Sequence, residues 1–440
     1  MSEQEGPFEG GPEPPRTALV LAGGGARGAY EAGVLVALFE EVLPELPAGF
    51  EFDIVSGTSV GAIHAAYVAA TAGRPGAERA ARIAAPWREM ELADVLQLSA
   101  GDLLGLPLRA LGLRQLRRQL ESGSGVVGGL VNLEPLERLV SERVPWEALA
   151  ENLARGRPGA LCVSCTEVHS GRVTLFMDGP LAEPSPWASD PAAKAVRGPI
   201  GPDHVRASSA IPFLFPAVRL GPHYYVDGGL RMNTPLSPAL RLRAQRVIAI
   251  ALKHAPGSSA GLPAYPESVI TQPAFLLGKV LNALMLDPIE TELRQLELVN
   301  AWLEAGSDAF GEEFLPRINE AVRRRRGVGY RPVRHVTLRP SQDIGALAAR
   351  SYREGGRRGL GLLPSLMTAA AVRGVPENEA DLLSYLFFDA RYTARLVELG
   401  RRDTLARKAE LLALLGDTGV PLSQKRILAG PARGSTLKPG

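Results

Sequence analysis

At 440 residues, with 45% hydrophobic and 22% charged side chains, the chain has the composition of an ordinary globular protein of one large domain or two. Its 49 basic and 47 acidic side chains nearly cancel, so no overall field draws nucleic acid or an anionic membrane, and any charged partner must be met by a local patch. The two cysteines, Cys162 and Cys165, exclude a disulfide framework and suit a reducing, cytoplasmic location.

The chain opens with MSEQEGPFEGGPEPP, acidic and rich in proline and glycine. With no apolar core it reads as a disordered tail over residues 1–15, neither a signal peptide nor a transmembrane helix. The apolar run Thr17 to Ala22 then predicts a buried strand that stops at Gly23. After Gly23-Gly24-Gly25-Ala26-Arg27-Gly28 comes AYEAGVLVALFEEVL, a well-buried helix that Pro44 is expected to terminate. Gly23, Gly25 and Gly28 satisfy the dinucleotide-binding spacing literally. That fold, however, wants an acid at the end of the next strand to hold a ribose hydroxyl.

The next strand ends instead in Gly57-Thr58-Ser59-Val60-Gly61, followed by a buried helix. Two glycines flanking a serine allow a strand to reverse into a helix along a path that a Cβ would obstruct, and they hold the hydroxyl out at the tip. The first N–H groups of the helix would point at the same place, where an attacked carbonyl develops negative charge. Both glycine turns follow neighbouring parallel strands, so they would face one site, with the N–H groups of Gly24 and Gly25 aimed at an oxyanion.

Helices interrupted at Pro86, Pro107 and the glycine-rich 122–129 are expected from Gly73 to about 155, giving a helical insertion around 86–130. Within it, Leu106 to Leu120 interleaves leucine with Arg109, Arg114, Arg117 and Arg118, either a surface helix with a solvated basic face or a peripheral membrane contact. From Gly159, ALCVSCTEV, the turn at His169 to Gly171 and RVTLFMDG predict a hairpin. Cysteines three apart on a strand face opposite ways, and no second pair completes a metal site, so they read as small core residues. A short helix, an apolar loop and a strand then lead to Asp227-Gly228-Gly229.

The motifs GGGARG, GTSVG and DGG in this order, with ASSAIPFLFP before the last, resemble the patatin-like phospholipase family over about residues 17 to 255. The resemblance continues in VRHVTLRPSQDIGALA. It implies a three-layer α/β/α sandwich, a Ser59–Asp227 dyad, an oxyanion loop at Gly23 to Gly28 and hydrolysis of lipid acyl esters with no cofactor or metal required. The alternatives are nucleotide binding at the glycine loop and a silent lipid- or protein-binding member. The expected organisation is a catalytic domain at 16–255, a helical extension at 256–415 with one late core strand near 335–340, and a loose tail at 416–440.

A triad would have to recruit His254 or His335, since His64 lies on the buried helix and His169 in the hairpin turn. Without a histidine, Asp227 must take the serine proton itself, and burial among FLFP and HYYV would make it a better base. Arg27 is either an orienting cation near a phosphate or a partner in a structural ion pair.

Overall fold

A computed structural model describes residues 15–89, 134–212, 215–254, 288–355 and 381–416, together with Leu276 and Lys279. The basic leucine-rich segment 106–120 lies outside them.

Among the described residues nine strands form one sheet. They are β1 (Thr17–Leu21), β2 (Ile54–Thr58), β3 (Ala160–Glu167), β4 (Val173–Asp178), β5 (Ala193–Arg197), β6 (Val218–Leu220), β7 (His223–Asp227), β8 (Arg246–Ile250) and β9 (Arg334–Leu338). The order is β5-β4-β3-β2-β1-β8-β9, with β7 on β3 and β6 on β7. The centre, from β3 to β9, is parallel, and β3–β4 is the antiparallel hairpin expected from the sequence.

Side chains alternate along each strand, so each strand feeds two cores. In β1, Leu19 and Leu21 face one apolar layer while Ala18 and Val20 face the other. Cys165 and Cys162 divide in the same way, both buried as free thiols. The first layer holds α1 (Gly28–Ala37), α2 (Val60–Ala70), α3 (Gly76–Glu89) and the helix Ala390–Ala406. Helices Leu236–Arg241 and Pro288–Phe310 cover the other face, which completes an α/β/α sandwich with a helical C-terminal region. No helix among the described residues is long and apolar enough to cross a membrane.

Two prolines act differently from the sequence expectation. Beyond α1 the chain continues through a wide π turn (Leu38–Val42) and a 3-10 turn (Leu43–Glu45), and Pro44 sits inside the latter instead of ending the helix. Having no N–H to give the preceding turn and a ring that crowds its carbonyl, a proline is accommodated by just such a change of pitch. Pro86 lies within α3, which runs on to Glu89. The external support there is Thr393, whose hydroxyl donates to the Trp87 carbonyl.

The helix Ala390–Ala406 is more than a cover. A Cβ on Gly33 would lie 1.9 Å from Val397 O, and one on Gly400 would lie 2.1 Å from Tyr30 O. The two helices therefore meet backbone to backbone through a pair of glycines, an approach no other residue allows.

Candidate active site

Ser59 joins β2 to α2 with φ +54° and ψ −126°, one of two described non-glycine residues at positive φ. Such a backbone costs of order 1–3 kcal/mol and persists only where its surroundings impose it. They do so here. A Cβ on Gly57 would lie 2.1 Å from Gly61 O, and one on Gly61 would lie 2.5 Å from Leu21 O, so both glycines are sterically required. The Ser59 N–H donates to Ser208 Oγ at 2.9 Å, and that hydroxyl donates to Ser164 O at 2.7 Å. Thr58 is tied down by its hydroxyl, which donates to Met232 O at 2.8 Å and also meets Ser164 Oγ. Val60 begins α2 and packs against the glycine loop, where a Cβ on Gly28 would lie 2.5 Å from Val60 Cγ2.

Register brings Asp227 to the serine. β4 occupies one edge of β3, so β2 and β7 must share the other. β2 ends with Thr58 opposite Ser164, and β7 takes over at the next position with Asp227 opposite Cys165. The ends of two strands far apart in sequence therefore meet head on, Ser59 just past one and Asp227 at the tip of the other. Gly228 lets the chain pass over β3, since its Cβ would fall 2.2 Å from Ser164 O, and the Gly229 N–H donates to Asp227 Oδ1 at 2.7 Å.

Asp227 is 1% exposed. Burial lifts its carboxyl from 3.8 to about 7, against the lowering influence of the Ser59 side chain and of Gly229 N–H. Its Oδ2 has no partner of hydrogen-bonding geometry. The Ser59 hydroxyl is thus near enough to act on the carboxylate.

The glycine loop wraps round the same point. Gly23 donates to Asn233 O and accepts from Asn233 Nδ2, both at 3.0 Å, and a Cβ on Gly23 would lie 3.0 Å from Ser59 Cβ. Gly25 takes φ +55° against the Tyr385 carbonyl, and Gly25 to Arg27 form a 3-10 turn around buried Ala26. The N–H groups of Gly24 and Gly25 donate to no backbone group among the described residues. Arg27 has a structural part in this loop. Its Nε donates to Ser384 Oγ at 2.8 Å and its guanidinium lies 4.1 Å over the Tyr385 ring, so it fastens the loop to the helix Asp381–Leu386.

No described histidine is set to serve the serine. His254 bonds to Pro340 O at 2.8 Å and His335 stands in β9 near Glu297. His64 lines the cleft beside Ser59, but both ring nitrogens are taken. The Trp87 indole can only donate, so the His64 Nε2 it meets at 3.2 Å is an acceptor, and His64 Nδ1 carries the hydrogen that Glu31 Oε2 receives at 2.7 Å. Glu31 Oε1 accepts from Ala22 N–H at 2.8 Å, just ahead of the glycine loop. Among the described residues no group of acidic, histidine or cysteine side chains could hold a metal.

Sequence reasoning gave no role to Asn233 or to the Glu31–His64–Trp87 chain, which carry no local motif, nor to Ser208, although that residue lies within ASSAIPFLFP. It missed the wall that Tyr385, Leu386 and Phe388 give the apolar cleft running from Ser59 past Ile63, Ile83 and Trp87.

The profile described as patatin-like phospholipase matches residues 19–240. An uncharacterized NTE family protein of Mycobacterium tuberculosis (strain H37Rv) is 26% identical over 253 residues, covering 57% of this chain and 52% of that protein. One from Mycobacterium bovis matches to the same extent. The chain therefore spans about half the length of these curated relatives. Among solved structures, human GIVD cytosolic phospholipase A2 in complex with methyl gamma-linolenyl fluorophosphonate has a TM-score of 0.39 at 15% identity, covering 91% of this chain and 58% of that one. VipD from Legionella pneumophila has a TM-score of 0.30 at 15% identity, covering 84% and 67%. Similarity at that level does not bear on function.

Proposed function

The chain belongs to the patatin-like phospholipase family, and from that premise we propose that it hydrolyses acyl esters of lipids, of the phospholipase A or lysophospholipase kind, with Ser59 as nucleophile and Asp227 as its base. Asp227 Oδ2 takes the Ser59 hydroxyl proton as Oγ bonds to the ester carbonyl carbon. The carbonyl oxygen becomes an oxyanion facing the N–H groups of Gly24 and Gly25. Collapse of that intermediate breaks the bond to the alcohol, which leaves with the proton held by Asp227. A water molecule then repeats the sequence on the acyl-enzyme, giving the fatty acid and restoring Ser59.

The observation that carries this reading is the handover on the edge of β3, which sets a strained serine beside a buried carboxylate. Donors aligned on a developing oxyanion are typically worth 10²–10³ in rate each. The cleft next to Ser59 is mostly apolar, lined by Val60, Ile63, Ile83, Trp87, Leu386 and Phe388, which suits an acyl chain.

A fluorophosphonate probe should label the wild-type protein at Ser59 and fail to label Ser59→Ala. Turnover of a short-chain nitrophenyl ester by Ser59→Ala should fall more than about a hundredfold with an unchanged circular dichroism spectrum. Labelling elsewhere, or retained turnover in the variant, would remove Ser59 from this role.

A further inference from the structure

A second cavity lies on the layer opposite α2, between helices Leu236–Arg241 and Pro288–Phe310 and the segment that precedes β9. None of its lining residues lines the cleft beside Ser59. Its volume is about 270 Å³, against roughly 10–15 Å³ for one water on the same measure. Arg241, Arg326 and Arg331 line it, together with Ser237, Gln295 and Tyr330.

The three arginines are not equivalent. Arg241 is neutralised, since it pairs with Asp190, donates to Pro186 O and lies 5.2 Å over the Trp187 ring. Arg326 lies 4.9 Å over the Tyr330 ring, and Arg331 reaches Gly329 O only at 3.5 Å. Neither has a carboxylate within 4.0 Å among the described residues, although both are partly withdrawn from solvent. Arg243 and Arg323 add to the same field. Burial first, and then these neighbouring cations, press Arg331 down to about 10.

The acid in the cavity wall, Glu292, is lifted by burial to about 7, so at neutral pH it is in large part a neutral donor. Ser237, Gln295 and Tyr330 add hydroxyl and amide donors. Guanidinium forks prefer partners with several oxygens in fixed geometry, and a doubly charged tetrahedral group presents them to more than one fork at once. We propose that this cavity binds a phosphate monoester group through Arg326 and Arg331, with Arg241 and Tyr330 at its margin. Two sources carry that chemistry, a soluble phosphate compound and the headgroup of an acidic lipid. The site is separate from the candidate active site and stands whether or not Ser59 is a nucleophile.

The test uses the full chain and two probes. Inorganic phosphate is titrated by calorimetry at constant ionic strength, with chloride making up the difference. In parallel the protein is sedimented with phosphatidylcholine vesicles containing a minor fraction of phosphatidic acid, and with phosphatidylcholine alone. At least one probe should bind above its control, and Arg326→Gln/Arg331→Gln should weaken that binding about tenfold or more. Arg324→Gln, on the same helix but paired with Glu320 at 2.9 Å, should not. Binding of free phosphate identifies a soluble ligand, and binding of phosphatidic acid vesicles alone identifies a lipid headgroup. Should the double variant fold poorly, Arg331→Gln alone must still weaken binding. No binding of either probe above control, or equal weakening by Arg324→Gln, would overturn the proposal.

Discussion

A carboxylate that accepts a proton near neutral pH must be a better base than a free aspartate, and burial makes Asp227 one. In the proposed reaction its ionised form is the working form, so kcat/KM should rise with pH and level off above about 7. The same shift acts on stability with the opposite sense. The folded value, about 7, lies above the ordinary 3.8, so the folded protein holds this proton longer than the unfolded chain does. Stability contributed by the neutral carboxyl is complete below the unfolded value and is lost as pH rises from there through about 7. Asp227→Asn, which stays neutral, should therefore be more stable than the parent above about pH 7, by a few kcal/mol at most. It should also have lost most of its turnover. Urea denaturation below about pH 4 and above about pH 7 measures the difference. A variant that gains no stability at the higher pH would show that Asp227 is not held as a strained base. At this scale the sequence is legible where chemistry needs a local pattern, as at Ser59 and Asp227. It is silent on Asn233, which holds Gly23 from 210 positions away.

Elements follow the same division. Apolar runs and glycine turns announce β1, β2, α1, α2 and the β3–β4 hairpin, because each is fixed by neighbours in sequence. The exchange of β2 for β7 on the edge of β3 could not be read, since register between strands that are not neighbours in sequence leaves no local trace. Nor could the meeting of α1 with the helix Ala390–Ala406, which rests on two glycines that look like ordinary helix residues. Adding one methyl group tests that meeting. Gly400→Ala places a Cβ 2.1 Å from Tyr30 O, a backbone atom that cannot rotate away, so overpacking should cost about 1–3 kcal/mol or more even though alanine is the better helix former. Gly198→Ala, with nothing within 4 Å of its Cβ, should stay within about 0.5 kcal/mol of the parent. Denaturant midpoints decide between them, and equal values for the two variants would mean that the helices separate without cost.

For the whole molecule, the family match ends at residue 240, but the packing does not. β9 extends the sheet beside β8, and Tyr392, Leu396 and Val397 are buried in the same core as Tyr30 and Leu35. A chain ending at residue 255 would expose the face of α1 that these residues cover and the edge of β8. It should be recovered as aggregate or as a species with no cooperative thermal transition, and should lack ester turnover. A soluble, cooperatively melting fragment of that length would show that the later helices are an accessory. The helical character of this region is plain from its leucine spacing, whereas the surface it packs against depends on contacts spanning most of the chain.

The fastening of the glycine loop also sets an order of events during synthesis. Gly25 rests on the Tyr385 carbonyl and Arg27 on Ser384, so the loop beside Ser59 waits for residues made more than 350 positions later. At about 5–20 residues per second that delay is of order 20–70 seconds on the ribosome. Ser59 and Asp227 are both translated well before it ends. A nascent chain therefore carries both groups without the fastened loop that completes their surroundings, until residues 384 and 385 have been made and folded.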